Sequence, residues 1–500
     1  MQLGLMILLI TFLTTICIGN ESIDEITYDI KKFIQVLKKE DSKQQYSYIP
    51  DHKILNLQIS DLYDVDSVSQ NPTHIESSHR ENTKSTNLPN SSSIESKTKN
   101  EAKQEINILI EYNINLTITK TYKPSNKTEL KTLIERIDIP LANIDTSLID
   151  DMSGLFRNST KRDFRGIENW NVSNVNNMYG MFDKAQYFNA ELNSWDVSNV
   201  KNMDFMFAGA TNFNQSLDNW DTSNVESMQG MFRDATNFNQ PLNSWNVSNV
   251  KYMNEMFAGA TNFNQSLDNW DTSNVESMRA MFLNASNFDQ GISDWDVSNV
   301  INMNEMFKNA ISFNKSLRKW NVESVKQVQG MFEGAIRFNQ SLITWNVGRV
   351  QNMKAMFKDA KEFNQPLNSW NVSSVNDMGE MFYGASRFNQ PLSNWDVSHV
   401  QNMKAMFKDA KEFNQSLDNW DTSNVWNTSE MFRNAINFNQ PLQFWRVSDV
   451  RYMDLMFAGA INFDQNLQYW TPINVISMKD MFIDSGMKDL PKWLNINRSK

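Results

Sequence analysis

The chain has 500 residues with a formal net charge of −11 at pH 7, and 40% of its residues are hydrophobic. This composition allows a buried core, but the acidic balance leaves no broad basic surface, so we expect no nucleic-acid partner. The single cysteine, Cys17, excludes a disulfide framework and a cysteine-based metal site, and the four histidines show no ligand spacing, so we expect no metal and no cofactor.

Residues 1–19 carry no charged side chain, and the run Leu3–Ile18 is apolar enough for the hydrophobic region of an export signal. The run is shorter than the ~20 residues of a membrane span, and the small residue Gly19 suits cleavage, so we favour a cleaved signal peptide over residues 1–19. Because no Lys or Arg precedes the run, an uncleaved anchor stays open. A lipid anchor at Cys17 is a third alternative, although Ile16 is bulky where the lipoprotein motif has a small residue.

Residues 20–60 are predicted to contain an amphipathic helix. Ser22 and Glu25 have capping-box spacing, and apolar residues follow at helical period: Ile23, Ile26, Ile30, Phe33, Ile34 and Leu37. The apolar face could pack on the rest of the protein, pair with another helix or touch a membrane, and we favour the first. Residues 61–105 are predicted to form a disordered linker, because this polar stretch cannot offset its chain entropy by burial.

Residues 106–140 are predicted to form a strand and a helix. Every second residue from Ile106 to Ile118 is apolar, which is typical of the buried face of a strand. Ser125 is a plausible N-cap for a helix whose apolar face consists of Leu130, Leu133, Ile134 and Ile137. We expect the two elements to cover the open end of a repeat stack, as solubility requires.

The strongest signal is an internal repeat with a period of about 25 residues, which indicates a stacked array. Each unit carries one tryptophan at the same place: Trp170, Trp195, Trp220, Trp245, Trp270, Trp295, Trp320, Trp345, Trp370, Trp395, Trp420, Trp445 and Trp470. A first unit begins at Leu141, with Ile144 in the tryptophan position and one extra residue. Some stretches recur letter for letter at an offset of 50 residues, such as Met206–Met228 at Met256–Met278, which indicates duplication of two-unit blocks.

The spacing of the apolar residues changes inside each unit. The first part predicts a short strand formed by Leu192, Trp195 and Val197, and the second predicts a helical or 3₁₀ turn with the apolar face Met203, Met206, Phe207 and Ala210. Since one coil cannot bury both parts, equivalent residues must stack as columns. We expect the recurring Asn-Gln pairs, such as Asn214-Gln215, to bond to each other and to the backbone between coils.

The predicted fold class is therefore a repeat solenoid over residues 141–496, built from leucine-rich-repeat-like β/α(3₁₀) coils of about 25 residues each with an N-terminal capping segment. Its motif, Leu-x-x-Trp-x-Val-Ser-Asn-Val-x-x-Met-x-x-Met-Phe-x-x-Ala-x-x-Phe-Asn-Gln, resembles that of the BspA-family leucine-rich-repeat surface proteins. The resemblance covers about Lys123–Ile496 and includes the lead-in segments Ile144–Ser147 and Met152–Phe156.

This resemblance implies a curved solenoid on a bacterial or protist surface, secreted or lipid-anchored. Members of that family are implicated in adhesion, which implies a host or microbial surface protein or glycan as partner. A membrane would be contacted only through an N-terminal anchor.

The residues themselves favour binding over catalysis. If Trp and Val point inward, the residues just after each tryptophan point outward, and they include the candidate binding residues Asp196, Asp221, Asp271, Asp296, Asp396 and Asp421. These acids could equally do no more than keep the face solvated. No unique acidic pair, histidine–acid arrangement, phosphate loop or nucleophile elbow is present, so we expect no enzyme. The alternative to adhesion is a structural spacer or variable surface antigen without a specific ligand.

Export should remove residues 1–19 or leave a lipid on Cys17, because the apolar run directs the chain out of the cytoplasm. Mass spectrometry of the mature N-terminus distinguishes the two products. An intact Met1 on a protein recovered from the cytosol would contradict the surface assignment.

Overall fold

The structure is a computed structural model that describes residues 55–63 and 114–494, with side chains described from residue 121. The predicted signal peptide with Cys17, the helix over Ser22–Leu37 and most of the predicted linker lie outside the described residues. Within the described part, no helix is long and apolar enough to cross a membrane.

The chain divides into two compact units, one of Met1–Ile59 with His79–Ile118 and one of Ser60–Ser78 with Thr119–Lys500. Strand β1 (Leu55–Tyr63) and strand β2 (Ile114–Tyr122) are hydrogen-bonded neighbours in a two-stranded sheet. Strand β1 differs from the prediction, which placed the end of the helical segment and the start of the linker there. The sequence alternates apolar and polar residues over 55–59, a period of two that favours a strand over either alternative.

Helix α1 spans Lys127–Glu135 and begins with a reciprocal cap. The N-cap is Asn126, not Ser125 as predicted: its side-chain oxygen accepts the backbone N–H of Glu129 at 3.1 Å. The Glu129 carboxylate in turn accepts the backbone N–H of Ser125 at 2.8 Å. Three of the four predicted apolar residues, Leu130, Leu133 and Ile134, are buried in the same core as the first coils. Ile137 is fully exposed instead, because the helix ends before it.

A short 3₁₀ turn, η1 (Leu141–Asn143), opens the first coil, and a second, η2 (Ile167–Asn169), precedes Trp170. From here to residue 494 the chain is a tandem stack of coils in which equivalent positions are 25 residues apart, as Asn214 and Asn239 are. The extra residue predicted in the first coil is present, since Asp151 bridges to Asn177, whereas later bridges join residues such as Asn177 and Asn202.

The predicted strand over the Leu-x-x-Trp-x-Val part is wrong: within the described coils this part is a pair of tight turns. The backbone N–H of Trp195 donates to the carbonyl of Leu192 at 3.0 Å, and that of Val200 donates to Val197 at 2.9 Å. The side chains nevertheless point into the core as predicted. A three-residue spacing lets a turn bury both Leu192 and Trp195, so the apolar pattern does not distinguish a turn from a strand here.

The backbone contact between coils lies on the Met-x-x-Met-Phe part. Isolated parallel bridges join each coil to the next, as between Asn202 and Ser227. Alternate N–H groups then donate to the following coil, and in one coil the donors are Met203, Phe205, Phe207 and Gly209, with N–O distances of 3.1, 2.7, 2.8 and 2.6 Å. The N–H groups between them bond back within the coil, as Met206 does to the carbonyl of Met203 at 3.2 Å, which is the predicted 3₁₀-type turn.

Left-handed residues at two fixed positions make this one-directional bonding feasible. In one coil they are Phe205 (φ 56°) and Gly209 (φ 66°). The two positions are four residues apart, and in the interior coils the N–H group of each donates to the following coil. Side chains at these positions lie on the following coil: a Cβ at Gly230 would overlap the ring of Phe205, and one at Gly259 would overlap the carboxylate of Asp234.

The core consists of columns of equivalent side chains. The thirteen tryptophans from Trp170 to Trp470, here called the ladder tryptophans, are only 2–4% exposed, which confirms the prediction that they are core residues. Neighbouring rings stack, as Trp220 on Trp245 with centroids 6.1 Å apart. Each indole N–H also donates to a carbonyl of the preceding coil, and that of Trp245 reaches Leu217 at 2.9 Å. In the Leu-x-x-Trp-x-Val part, the tryptophan side chain thus provides the hydrogen bond between neighbouring coils that a strand would otherwise make.

Replacing Trp245 by Ala should lower the free energy of unfolding by about 3 to 5 kcal/mol, because it opens a cavity and removes the hydrogen bond from the indole N–H to the Leu217 carbonyl. Chemical denaturation followed by circular dichroism measures the change. The matched control is Trp426→Ala, which removes a tryptophan that is 38% exposed and should cost well under that amount.

Candidate functional site: a polar face along the coils

One exposed surface of the stack is here called the polar face. It consists of three positions in each coil, which are the first, third and fourth residues after the ladder tryptophan. The six aspartates proposed as binding candidates all lie on it, and all are exposed as predicted: Asp196, Asp221, Asp271, Asp296, Asp396 and Asp421. They form one column with the equivalent residues of the other coils, most of which are asparagines, so the structure brings them into line along the stack and not into a single cluster.

Each of these aspartates stabilises a turn by accepting a hydrogen bond from the backbone two residues further on. Oδ1 of Asp196 accepts the backbone N–H of Ser198 at 3.1 Å and its hydroxyl at 2.6 Å. The same backbone bond recurs at 2.9–3.1 Å in the other five. Asparagine makes it equally well, as Asn246 does to Ser248 at 3.1 Å. The turn therefore needs the acceptor oxygen, and the negative charge is additional to it.

In three of the six aspartates these bonds also favour the ionised carboxylate. Hydrogen bonds from Ser223 hold the pKa of Asp221 below its usual range, and those from Ser398 do the same to the pKa of Asp396. Asp421 has its pKa lowered by Ser423 in the same way. A donor that bonds to the charged form favours it. Asp221, Asp396 and Asp421 thus present negative charge at neutral pH.

A second column of the polar face ties the coils together and was missed by sequence reasoning. The side-chain amide of Asn224 donates to the carbonyl of Ser198 in the preceding coil at 2.7 Å, and Asn249 does the same to Ser223 at 2.7 Å. The Ser-Asn pair that recurs between the two valines was the available signal, since a side-chain amide can reach a neighbouring backbone carbonyl.

The Asn-Gln pairs form a third column on another edge of each coil. Oδ1 of Asn214 accepts the backbone N–H of Asn239 at 2.9 Å and the side-chain amide of Gln240 at 3.0 Å. Oδ1 of Asn239 receives the same two bonds from Asn264 and Gln265. This confirms the predicted bonding of stacked amides to each other and to the backbone, and it gives these asparagines a structural role.

Ion pairs line the Met-x-x-Met-Phe part and were not predicted. Glu255 accepts from Arg233 at 3.1 Å and from Arg279 at 2.5 Å, so it joins the coils on either side. Further along, the ammonium groups of Lys358 and Lys408 lie 5.0 and 4.9 Å from the ring centre of Tyr383. Because these groups are partly exposed, each pair contributes little stability, on the order of 1 kcal/mol or less.

Two open grooves lie at the first coils. One has a volume of about 460 Å³ and is lined by residues that include Asp183, Lys184 and Arg233. The other has a volume of about 620 Å³, and in it the guanidinium of Arg162 lies 4.1 Å from the ring centre of Tyr187. Among the described residues, no three His, Cys, Asp or Glu side chains are grouped to hold a metal ion.

Changing Asp221, Asp396 and Asp421 together to Asn should leave the melting temperature at pH 7 almost unchanged, because Asn keeps the turn bond. It should reduce the loss of stability in acid. A lowered folded-state pKa means that the carboxylates stabilise the fold above their unfolded pKa of about 4 and lose that contribution as the pH falls through the lower folded-state value.

Thermal melts at pH 7 and over the range from about pH 5 to about pH 2 measure both effects. The reciprocal variant, in which Asn171, Asn246 and Asn371 become Asp, should melt more easily in acid than the native chain. A triple Asn variant that unfolds readily at pH 7 would show that the charge itself holds the turns.

One sequence family matches the chain, and its model is described as "Mycoplasma protein of unknown function, DUF285". It matches in six overlapping segments, residues 128–241, 191–293, 215–320, 261–362, 312–420 and 411–497, which together run through the whole stack. No curated protein shows significant similarity to the chain. Since the matches cover well over half of its length, the chain belongs to the DUF285 family of repeat proteins.

Proposed function

We propose that this protein is a secreted or surface-attached solenoid of the leucine-rich-repeat kind that binds a repetitive host or microbial ligand, a glycan or a fibrous protein, along the polar face. Parallel bridges between successive coils support the solenoid assignment. The leucine-rich-repeat type rests on the repeat motif, since the bridges lie on the Met-x-x-Met-Phe part and not on the Leu-x-x-Trp-x-Val part.

The observation that carries the binding proposal is the column of exposed aspartates. In each of the six, the turn bond engages Oδ1, and among the described residues no hydrogen bond engages Oδ2. The carboxylate can therefore accept a bond from a ligand without loss of the turn. Because equivalent side chains of neighbouring coils lie close together, as the rings of Trp220 and Trp245 do with centroids 6.1 Å apart, a ligand with its own repeat could contact several such oxygens at once, and avidity would exceed the strength of one contact.

Catalysis is not part of the proposal. Each aspartate of the column has the same turn partner as its neighbours, whereas a catalytic acid or base needs a distinct environment that shifts its pKa toward the working pH. Attachment to a membrane would come only from an N-terminal anchor, through the apolar run or a lipid on Cys17.

Replacing Asp221 alone by Asn should leave binding almost intact, because one of many equal contacts is lost. Changing Asp196, Asp221, Asp271 and Asp296 together should weaken binding by more than the summed single effects. The purified chain is titrated onto a panel of immobilised polysaccharides and fibrous proteins. A matched control changes three acids off the polar face, Asp234, Asp359 and Asp409, to the Asn that other coils carry there.

A shortened chain tests the dependence on length. Deletion of Met206–Glu255 removes two coils and keeps the register, so the protein should still fold, since each coil contacts only its neighbours. It should bind more weakly than the full chain. The proposal fails if one substitution abolishes binding while its counterparts in other coils have no effect, because that result requires a single discrete site.

A spacer without a ligand is the second candidate. One observation favours it: the side chains of the polar face already serve the fold, through turns within coils and amide bonds between them. A spacer predicts no saturable binding to any surface in the panel, and no difference between the quadruple variant and its control.

A further inference from the structure

The last coil of the stack leaves part of its core uncovered. In the preceding coil, Val450, Met453 and Phe457 are at most 1% exposed, whereas their equivalents one coil later are all partly exposed: Val475, Met478 and Phe482. Ile473 and Ile476 extend this apolar surface around the rim, at 73% and 66% exposed. An apolar surface at the end of a repeat stack is normally buried by a capping element or by a partner.

Within the part of the chain that the structure describes, only the tryptophan side of this end is covered. The ring of Trp493 stacks on Trp470 with centroids 6.2 Å apart, and its indole N–H donates to the carbonyl of Leu467 at 2.8 Å. The following residues place Asn495 and Arg498 at the two valine positions of the coil motif. These two polar residues differ from the valines that the interior coils bury at the same positions, such as Val447 and Val450.

The backbone at this end presents a row of donors. Four carbonyls of the last coil accept N–H groups from the coil before it, as Ser477 accepts from Met453 at 2.8 Å and Ile483 from Gly459 at 2.9 Å. The next N–H groups in the same pattern, those of Met478, Asp480, Phe482 and Asp484, find no acceptor among the described residues. Unpaired N–H groups at an apolar edge are a strong reason for association.

Acceptors lie beside these donors. Asp480 (φ 53°) and Asp484 (φ 55°) occupy the two left-handed positions of the last coil, and both are exposed. In interior coils, side chains at these positions lie on the following coil, as the carboxylate of Asp234 does over Gly259. The two carboxylates therefore extend past the end of the stack, in the same direction as the N–H row.

The opposite end of the stack has no comparable surface. Leu155 and Phe156 of the first coil are 5% and 4% exposed, and α1 packs its buried residues into the same core. The ammonium of Lys127 on this helix also lies 3.1 Å from the carboxylate of Asp151. Head-to-tail stacking of two chains would require helix α1 to detach from the first coil.

We propose that two copies of the chain associate through their C-terminal coil ends, tail to tail about a twofold axis near Met481. Such a contact is self-complementary. With the two edges antiparallel, Asp480 faces Phe482 of the second copy, and Asp484 faces its Met478. Each carboxylate then accepts an N–H group of the other chain, while the half-exposed core side chains pack against each other between them.

Sedimentation equilibrium of the full chain should show a dimer whose dissociation constant rises at least about tenfold in Ile476→Glu, because a charge at the rim must be desolvated on association. Met478→Glu, nearer the axis, should weaken the dimer further. The matched control is Ile301→Glu, the same coil position in the middle of the stack and 44% exposed, which should leave the dimer unchanged.

The double variant Asp480→Ala/Asp484→Ala tests the acceptors and should also weaken the dimer, while thermal melts confirm that the stack is folded. A full chain that stays monomeric at every concentration would overturn the proposal, because its end is then covered by its own residues or by solvent. A dimer that Ile301→Glu weakens as much as Ile476→Glu, or that neither weakens, would place the contact elsewhere and overturn it equally.

Discussion

The rest of the structure depends on the one-directional backbone bonding between coils. Four N–H groups of a typical interior coil donate to carbonyls of the next, as Phe207 donates to Met231, and the coil that contains Met331 donates three. Such a ladder holds only if the Met-x-x-Met-Phe part of every coil has the same length and the same two left-handed positions. The register it sets places each side chain over its equivalent, so one choice of residue is repeated as a column throughout the stack.

The columns explain why the chain uses large aromatic residues so uniformly. A phenylalanine in one coil stacks on that of the next in nearly parallel planes, as Phe232 does on Phe257 with centroids 5.7 Å apart. The tryptophan adds a polar atom that a phenylalanine lacks, and its indole N–H bonds to the neighbouring backbone where no strand forms. Burial and hydrogen bonding between coils are therefore supplied by the same side chain.

Directional bonding also makes the two ends of the stack chemically different. One end presents carbonyls and is covered by a helix, whereas the other presents N–H groups beside half-exposed core residues. The polar face between them is close to uniform, because its aspartates and asparagines fill the same turn position. Function on such a face is naturally distributed over many coils, and a discrete contact is more readily built at the end where the repetition stops.

Much of this could be predicted from the sequence. The constant period, the extra residue in the first coil, the inward columns and the bonding of the Asn-Gln pairs all follow from recurrence, because a residue that returns at one position must meet its own copy in a stack. The exposure of the aspartates followed from the same pattern. Their role in turns did not, since an acceptor at Asp221 and a donor at Ser223 are equally suited to ligand binding or to a turn.

What the tertiary structure decided is where the backbone pairs. Leu-x-x-Trp-x-Val fits a strand or a turn equally well in its apolar spacing, and only the neighbouring coil selects the turn, because the indole N–H already supplies the bond that a strand would make. The left-handed positions could not be predicted from the sequence either. They hold Phe205, Glu255 and Ala280 as readily as glycine, since the bonds to the next coil, and not the residue type, fix that conformation.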